Sequence, residues 1–245
     1  MEDKYEIYIL AGGPEEEWCR EFGVGYKALL PWGGKTIIET MVEKIRKDLD
    51  IPITVVGHKN WPIAHIEGAT LIKTESKDIM DTIASITPKA EYTLLLTGDS
   101  PLVEGKHLLP MFEDPAELTA GLIKKEDFNK AFPGFHKTFI PIKDMSIKLA
   151  GAALIKREKW DIIVTEGAKF YAYRKNPAKI VWKMGIPLFM KLITRKLTVD
   201  DVVKWVYNSF GVHGKVAEVH PSLGADVDDK EDYVILKLFE TLGRG

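Results

Sequence analysis

The chain has 245 residues, and 34 Lys and Arg against 36 Asp and Glu give a formal charge of −2, a balance that gives no support to a broad nucleic-acid-binding face. A hydrophobic content of 45% is ample for a buried core, and Cys19, the single cysteine, rules out a disulfide framework and disfavours structural zinc. The start Met1-Glu2-Asp3-Lys4 lacks signal-peptide tracts, and the longest apolar stretch, 180–193, is broken by Lys183, Pro187 and Lys191; the chain reads as cytoplasmic, without stable membrane insertion.

Apolar, β-rich runs alternate with segments of helical period, the pattern of an α/β sheet built largely from crossover units. Tyr5 to Leu10 predicts a first strand, ending in Ala11-Gly12-Gly13. Thr36 to Leu49 predicts a helix with Ile37, Ile38, Met41, Val42 and Ile45 on one stripe. Ile53 to Val56 reads as a buried strand, Thr70 to Lys73 as a short one, and Ile79 to Ile86 as a helix. Tyr92 to Leu96 is the most hydrophobic strand, and it puts Asp99 just past a carboxyl end, where open α/β sheets bind ligands. Strands follow at Leu118 to Ile123, Lys137 to Ile142 and Ala152 to Ile155, with a helix over Lys124 to Phe132. Residues 160–210 are mostly helical by pattern, then Val212 to Val219 reads as a last strand and Lys230 to Leu242 as a closing helix. The expectation is one domain over 1–245, with 157–211 as a helical insertion or subdomain. The absence of glutamine, beside abundant Lys and Glu, fits a thermophilic source.

Small residues after a strand let backbone N–H groups approach an anion, and a lysine can neutralise charge on a phosphoryl group. Leu10-Ala11-Gly12-Gly13, with Lys27 about a dozen residues on, has this character; a tight turn explains the glycines equally well. Gly33-Gly34-Lys35-Thr36 mimics a P-loop tail, but Leu29 stands where its first glycine belongs, so a turn opening the next helix is the better reading. The dinucleotide fingerprint G-x-G-x-x-G also fails, since Pro14 and three glutamates follow Gly13.

Taken together, Leu10-Ala11-Gly12-Gly13, Lys27-Ala28-Leu29-Leu30-Pro31, the 33–39 turn and helix start, Gly98-Asp99-Ser100-Pro101 and Asp226-Val227-Asp228-Asp229 resemble the nucleotidyltransferases of glycosyltransferase-A-like fold. The molybdenum-cofactor guanylyltransferase type and the sugar-phosphate and methylerythritol-phosphate cytidylyltransferase types are the nearest by motif. The resemblance implies a Rossmann-like, mostly parallel sheet flanked by helices. It also implies attack by a phosphorylated small molecule on the α-phosphate of a nucleoside triphosphate, with release of pyrophosphate and with Mg²⁺ as cofactor. By the same resemblance Leu10, Ala11, Gly12, Gly13 and Gly98 border the nucleotide, Lys27 steadies the α-phosphate, and Asp99 holds Mg²⁺ aided by Asp226 or Asp228.

The loop Gly13-Pro14-Glu15-Glu16-Glu17-Trp18-Cys19-Arg20 departs from the G-x-G-x-R of the family. Arg20 can replace the missing arginine or be a solvated helix residue, and the glutamates must point outward from a triphosphate. Asp81 lies where relatives often contact the nucleotide, and a solvated helix start explains it nearly as well. His136 and Lys137, in a turn before a strand, suit an acceptor phosphate or a plain surface turn. Asp226 and Asp228 lie in a short extended stretch in which only one is expected to face the site, Asp228 being the stronger candidate for capping the last helix. The basic helical region with Lys179, Lys183, Lys191, Arg195 and Lys196 leaves room for a homodimer contact or a membrane-surface helix. Two other readings share the fold: a glycosyltransferase using a nucleotide sugar, and a non-catalytic nucleotide sensor.

Overall fold

The computed structural model describes residues 4–76, 78–173 and 184–243. The first strand is β1 (Tyr5–Leu10), followed by a hairpin of β2 (Pro31–Trp32) and β3 (Lys35–Thr36), then α1 (Ile37–Asp48). Next come β4 (Ile53–His58), β5 (Thr70–Thr74), α2 (Ile79–Ala84), β6 (Tyr92–Thr97), α3 (Leu109–Phe112), β7 (Leu118–Lys124) and α4 (Lys125–Ala131). The chain continues through β8 (Ile140–Ile142), β9 (Met145–Lys156), α5 (Trp160–Tyr173), α6 (Ile186–Ile193), α7 (Val199–Phe210), β10 (Gly214–Glu218) and α8 (Lys230–Thr241).

The main sheet runs β10-β7-β9-β6-β1-β4-β5, with β8 added to β9. It is the mostly parallel, helix-flanked sheet expected: β1 pairs parallel with β4 and β6, and β7 with β10, while β9 runs antiparallel between β6 and β7. Side chains of a strand alternate between faces, so β1 and β6 feed two cores. Ile7, Ile9, Leu94 and Leu96 pack with the buried stripe of α1 and with Tyr233, Leu236 and Phe239 of α8. Tyr8 and Leu95 point the other way, against Ile83 of α2 and Trp160 and Val164 of α5. Both faces are covered, which is why these strands read as continuous apolar runs.

Gly33 and Gly34 both take positive φ, at 55° and 84°, and close the β2–β3 hairpin. Thr36 then caps α1 in a capping box with Glu39. The Gly-Gly-Lys-Thr run is a turn and a helix start. Corrections fall where patterning is weak. Of the strand expected from Lys137 to Ile142, only Ile140–Ile142 pairs, because Lys137 is drawn into a cluster of carboxylates. The strand read as Ala152 to Ile155 is the buried end of twelve-residue β9, whose first half carries exposed Met145 and Leu149 and gains its partners from β7 and β8. Among the described residues no helix is long and apolar enough to cross a membrane. Lys179 and Lys183, named above for the helical region, lie outside the described residues.

Candidate active site

The carboxyl ends of β1 and β6 lie side by side, with Leu10 paired to Thr97. The chain leaves β1 through Ala11, whose N–H donates to the Val56 carbonyl, and the Gly98 N–H returns to the Leu10 carbonyl. These strand ends approach closely only because their residues are small. A Cβ on Gly98 would stand 2.6 Å from the Ala11 Cβ, and one on Gly12 would stand 3.3 Å from the Gly57 carbonyl carbon. Among the described residues the N–H groups of Gly12 and Gly13 have no backbone acceptor.

Around this point opens a cavity of about 440 Å³, lined by Leu10 to Pro14, Glu16, Tyr26, Lys27, Ala28, Asp78, Ile79, Thr82, Thr97, Gly98, Asp99 and Tyr171. Lys27 opens a short 3₁₀ turn whose buried Ala28 and Leu29 anchor it, and its Nζ lies 3.8 Å from Asp99 Oδ2. Asp99 is held over the cavity by its own backbone, for its carbonyl accepts from the Val227 N–H. Asp99 Oδ1 is buried without a hydrogen-bond partner among the described residues. Burial pushes the Asp99 carboxyl above its ordinary range; Lys27 and the nearby Thr97 hydroxyl oppose this, and the charges of Asp226 and Asp228 add to it. An acceptor-only oxygen left bare in this way fits a divalent cation, which takes one or two carboxylates and completes its shell from phosphates.

The acidic C-terminal stretch corrects two expectations. Residues two apart on an extended chain share a face, so Asp226 and Asp228 both turn to one partner, Lys137, with Nζ to oxygen distances of 3.4 and 2.8 Å. The cap of α8 is Asp229, whose carboxylate accepts from the Asp232 N–H. Burial alone would raise the Asp228 carboxyl, but the ammonium of Lys137, backed by Lys27 and Lys148, holds it below its ordinary value.

Leu10, Ala11, Gly12, Gly13, Lys27, Gly98 and Asp99 thus line one cavity. Arg20 does not line it; its guanidinium pairs with Glu15 at 3.1 Å on the surface. Of the three glutamates only Glu16 borders the cavity, since Glu15 is taken up by Arg20 and Tyr26 and Glu17 is exposed. Asp81 also lies off the lining, while Asp78, Ile79 and Thr82 of the same turn form part of it. His136 is exposed in the turn before Lys137. Sequence reasoning passed over Tyr26, Asp78, Thr82, Lys148 and Tyr171. Asp78 did carry a signal, because its carboxylate caps α2 by accepting from the Met80 and Asp81 N–H groups.

A glycine turn, a lysine and an aspartate with a buried unpartnered oxygen thus converge at the carboxyl ends of parallel strands, the place where open α/β sheets bind ligands. The profile of the MobA-like NTP transferase domain matches residues 7–133, and the chain belongs to that family. It is therefore a nucleotidyltransferase. No curated protein sequence matches the chain significantly.

Solved structures share the fold at low identity. A hypothetical transferase from Thermus thermophilus superposes with a TM-score of 0.81 at 21% identity, over 93% of this chain and 99% of that one. The 4-diphosphocytidyl-2C-methyl-D-erythritol synthase of Anaerococcus prevotii gives 0.56 at 12% identity, over 98% and 99%. A Mycobacterium tuberculosis protein in complex with manganese gives 0.51 at 15% identity, over 96% and 98%.

Proposed function

We propose that the protein transfers a nucleoside monophosphate unit from a nucleoside triphosphate to a phosphorylated small molecule, with Mg²⁺ as cofactor and pyrophosphate as leaving group. The observation that carries this reading is the convergence of three groups on one cavity: the unengaged N–H groups of Gly12 and Gly13, the Lys27 ammonium and the unpartnered Asp99 Oδ1.

An acceptor phosphate oxygen forms a bond to the α-phosphorus while the α–β anhydride bond breaks in line with it. Such a transfer needs positioning and charge neutralisation more than proton chemistry. The Gly12 and Gly13 N–H groups receive phosphate oxygens without a side chain in the way. Lys27 neutralises charge that builds on the α-phosphate as the anhydride bond lengthens. Asp99 would hold the metal, aided by an oxygen of Asp226 or Asp228; a bound divalent ion supplies charge neutralisation and orients the phosphates. Arg20 is a reserve cation, because an exposed pair such as Arg20–Glu15 is worth about 1 kcal/mol or less and opens readily. The chain acts as one domain over 1–245 with an insertion or subdomain at 157–211, whose α5 contributes Tyr171 to the cavity wall.

The test is a thermal-shift panel of the four nucleoside triphosphates and several nucleotide sugars, each with and without Mg²⁺. A ligand that binds only the folded state raises the midpoint by mass action. A Mg²⁺-dependent rise with a triphosphate is expected, and a rise with nucleotide sugars alone would overturn the reading. In turnover assays that follow pyrophosphate, Lys27→Ala is expected to lose about 100-fold or more, the scale of removing one transition-state charge stabiliser. Full-rate turnover would remove Lys27 from the machinery.

A further inference from the structure

One lysine sits where three carboxylates meet. Lys137 keeps only 5% side-chain exposure, and its Nζ lies 2.7 Å from Asp232 Oδ2, 2.8 Å from Asp228 Oδ2 and 3.4 Å from Asp226 Oδ1. The ring of buried Phe135 covers another side, its centroid 5.2 Å from the ammonium. An ammonium has three N–H donors and no acceptor; two of them donate to Asp228 and Asp232, and Asp226 completes the surround as an ion pair. Asp226 is held again by Lys148, at 2.6 Å, which also donates to the Gly224 carbonyl.

This arrangement leaves Lys137 little to offer a substrate phosphate. Leaving the cage would take this cation from Asp232 and Asp226, whose side chains are only 13% and 26% exposed, and unpairing a largely covered charge is costly. Asp99 presents the opposite picture, with one buried oxygen unpartnered and a single lysine at 3.8 Å from the other. The acidic groups at this end of the sheet are therefore divided between a built-in cation and an open position.

We propose that Lys137 is an internal counter-ion that holds Asp226, Asp228 and Asp232 in place, so that the site takes up one divalent cation, at Asp99. The acidic stretch is then ordered before any metal arrives. Lys137 is a positioning residue in this account and touches neither nucleotide nor acceptor. The inference rests on Asp99 being the metal ligand of the proposed function.

Mn²⁺ titration of the full chain without nucleotide, with free ion read by electron paramagnetic resonance, tests it. The wild type is expected to bind one ion. Lys137→Met, which leaves three carboxylates without their cation, is expected to bind a second, while Lys137→Arg keeps the charge and stays at one. Equal counts for wild type and Lys137→Met, zero in both included, with Kd values within about twofold, overturn the proposal. Asp99→Asn separates the underlying reading: if the wild-type ion persists in that variant, Asp99 is not its ligand, whatever the lysine variants show.

A second measurement does not depend on Lys137→Met folding. In nitrogen-15 spectra of the wild type, the Lys137 ammonium signal, assigned by its absence from Lys137→Arg, is expected to persist through saturation with Mg²⁺. Loss of that signal on adding Mg²⁺ means that the metal displaces the lysine, and the proposal falls.

Discussion

Asp99 is held at a cost. Its carboxyl is raised by burial, by Asp226 and by Asp228, and Lys27 offsets only part of this. For a carboxylate whose folded pKa stands above its unfolded value, the folded state binds the proton more tightly, so stability rises as pH falls through the folded pKa. Above the ordinary carboxylate range Asp99 therefore costs the metal-free protein stability. Asp99→Asn is expected to raise Tm at pH 7 while abolishing turnover. The gain should shrink as pH falls through the raised pKa and vanish below 3.8, the ordinary value, where the carboxyl is protonated folded and unfolded alike. A Tm that drops at pH 7 would show that Asp99 supports the fold. At this same scale the sequence was informative where a residue follows a strong strand, as with Gly12, Gly98 and Asp99. It was silent on Lys148, whose position in the exposed half of β9 follows no hydrophobic pattern.

At the scale of elements, the site depends on how closely β1 and β6 end together. Gly98→Ala puts a methyl into the space of the Ala11 Cβ, and neither strand end can yield without moving the Gly12-Gly13 turn. Overpacking of this kind costs about 1–3 kcal/mol, and here it is expected to weaken triphosphate binding as well as lower Tm. Thr36→Ala is the control. It breaks the α1 capping box on the sheet's flank for about 1 kcal/mol, and should leave triphosphate affinity unchanged. If both variants bind triphosphate like the wild type, the close approach at Gly98 has no part in the site. The element order was legible because two-sided burial makes β1, β4 and β6 continuous apolar runs and a single stripe marks α1. The β8–β9 hairpin was only half legible. Its start is set by Asp144 at φ 67° and by pairing to distant β7, and cross-strand pairing leaves little trace in a local window.

Across the whole molecule the packing is uneven. The two large clusters enclose the sheet, whereas Ile142, Leu188 and Leu197 form a small separate one that ties α6 and α7 to the β8–β9 hairpin. Ile186, Met190 and Ile193 of α6 remain exposed. Segments with little buried apolar contact open at lower free energy than core strands. In hydrogen exchange, amides of α6 and α7 are expected to exchange well before those of β1 and β6; equal protection would show that the helical region folds as one unit with the sheet. The alternation of strands and helices, the turn after β1 and the aspartate after β6 follow from sequence alone, since burial periodicity and glycine sterics are local properties that composition records directly. The division of the acidic groups does not. Whether Asp226 and Asp228 face Asp99 or Lys137 depends on how a loop near residue 137 and a segment near residue 228 are brought together by the sheet, and charge pairing across such a separation is decided only when the chain has folded.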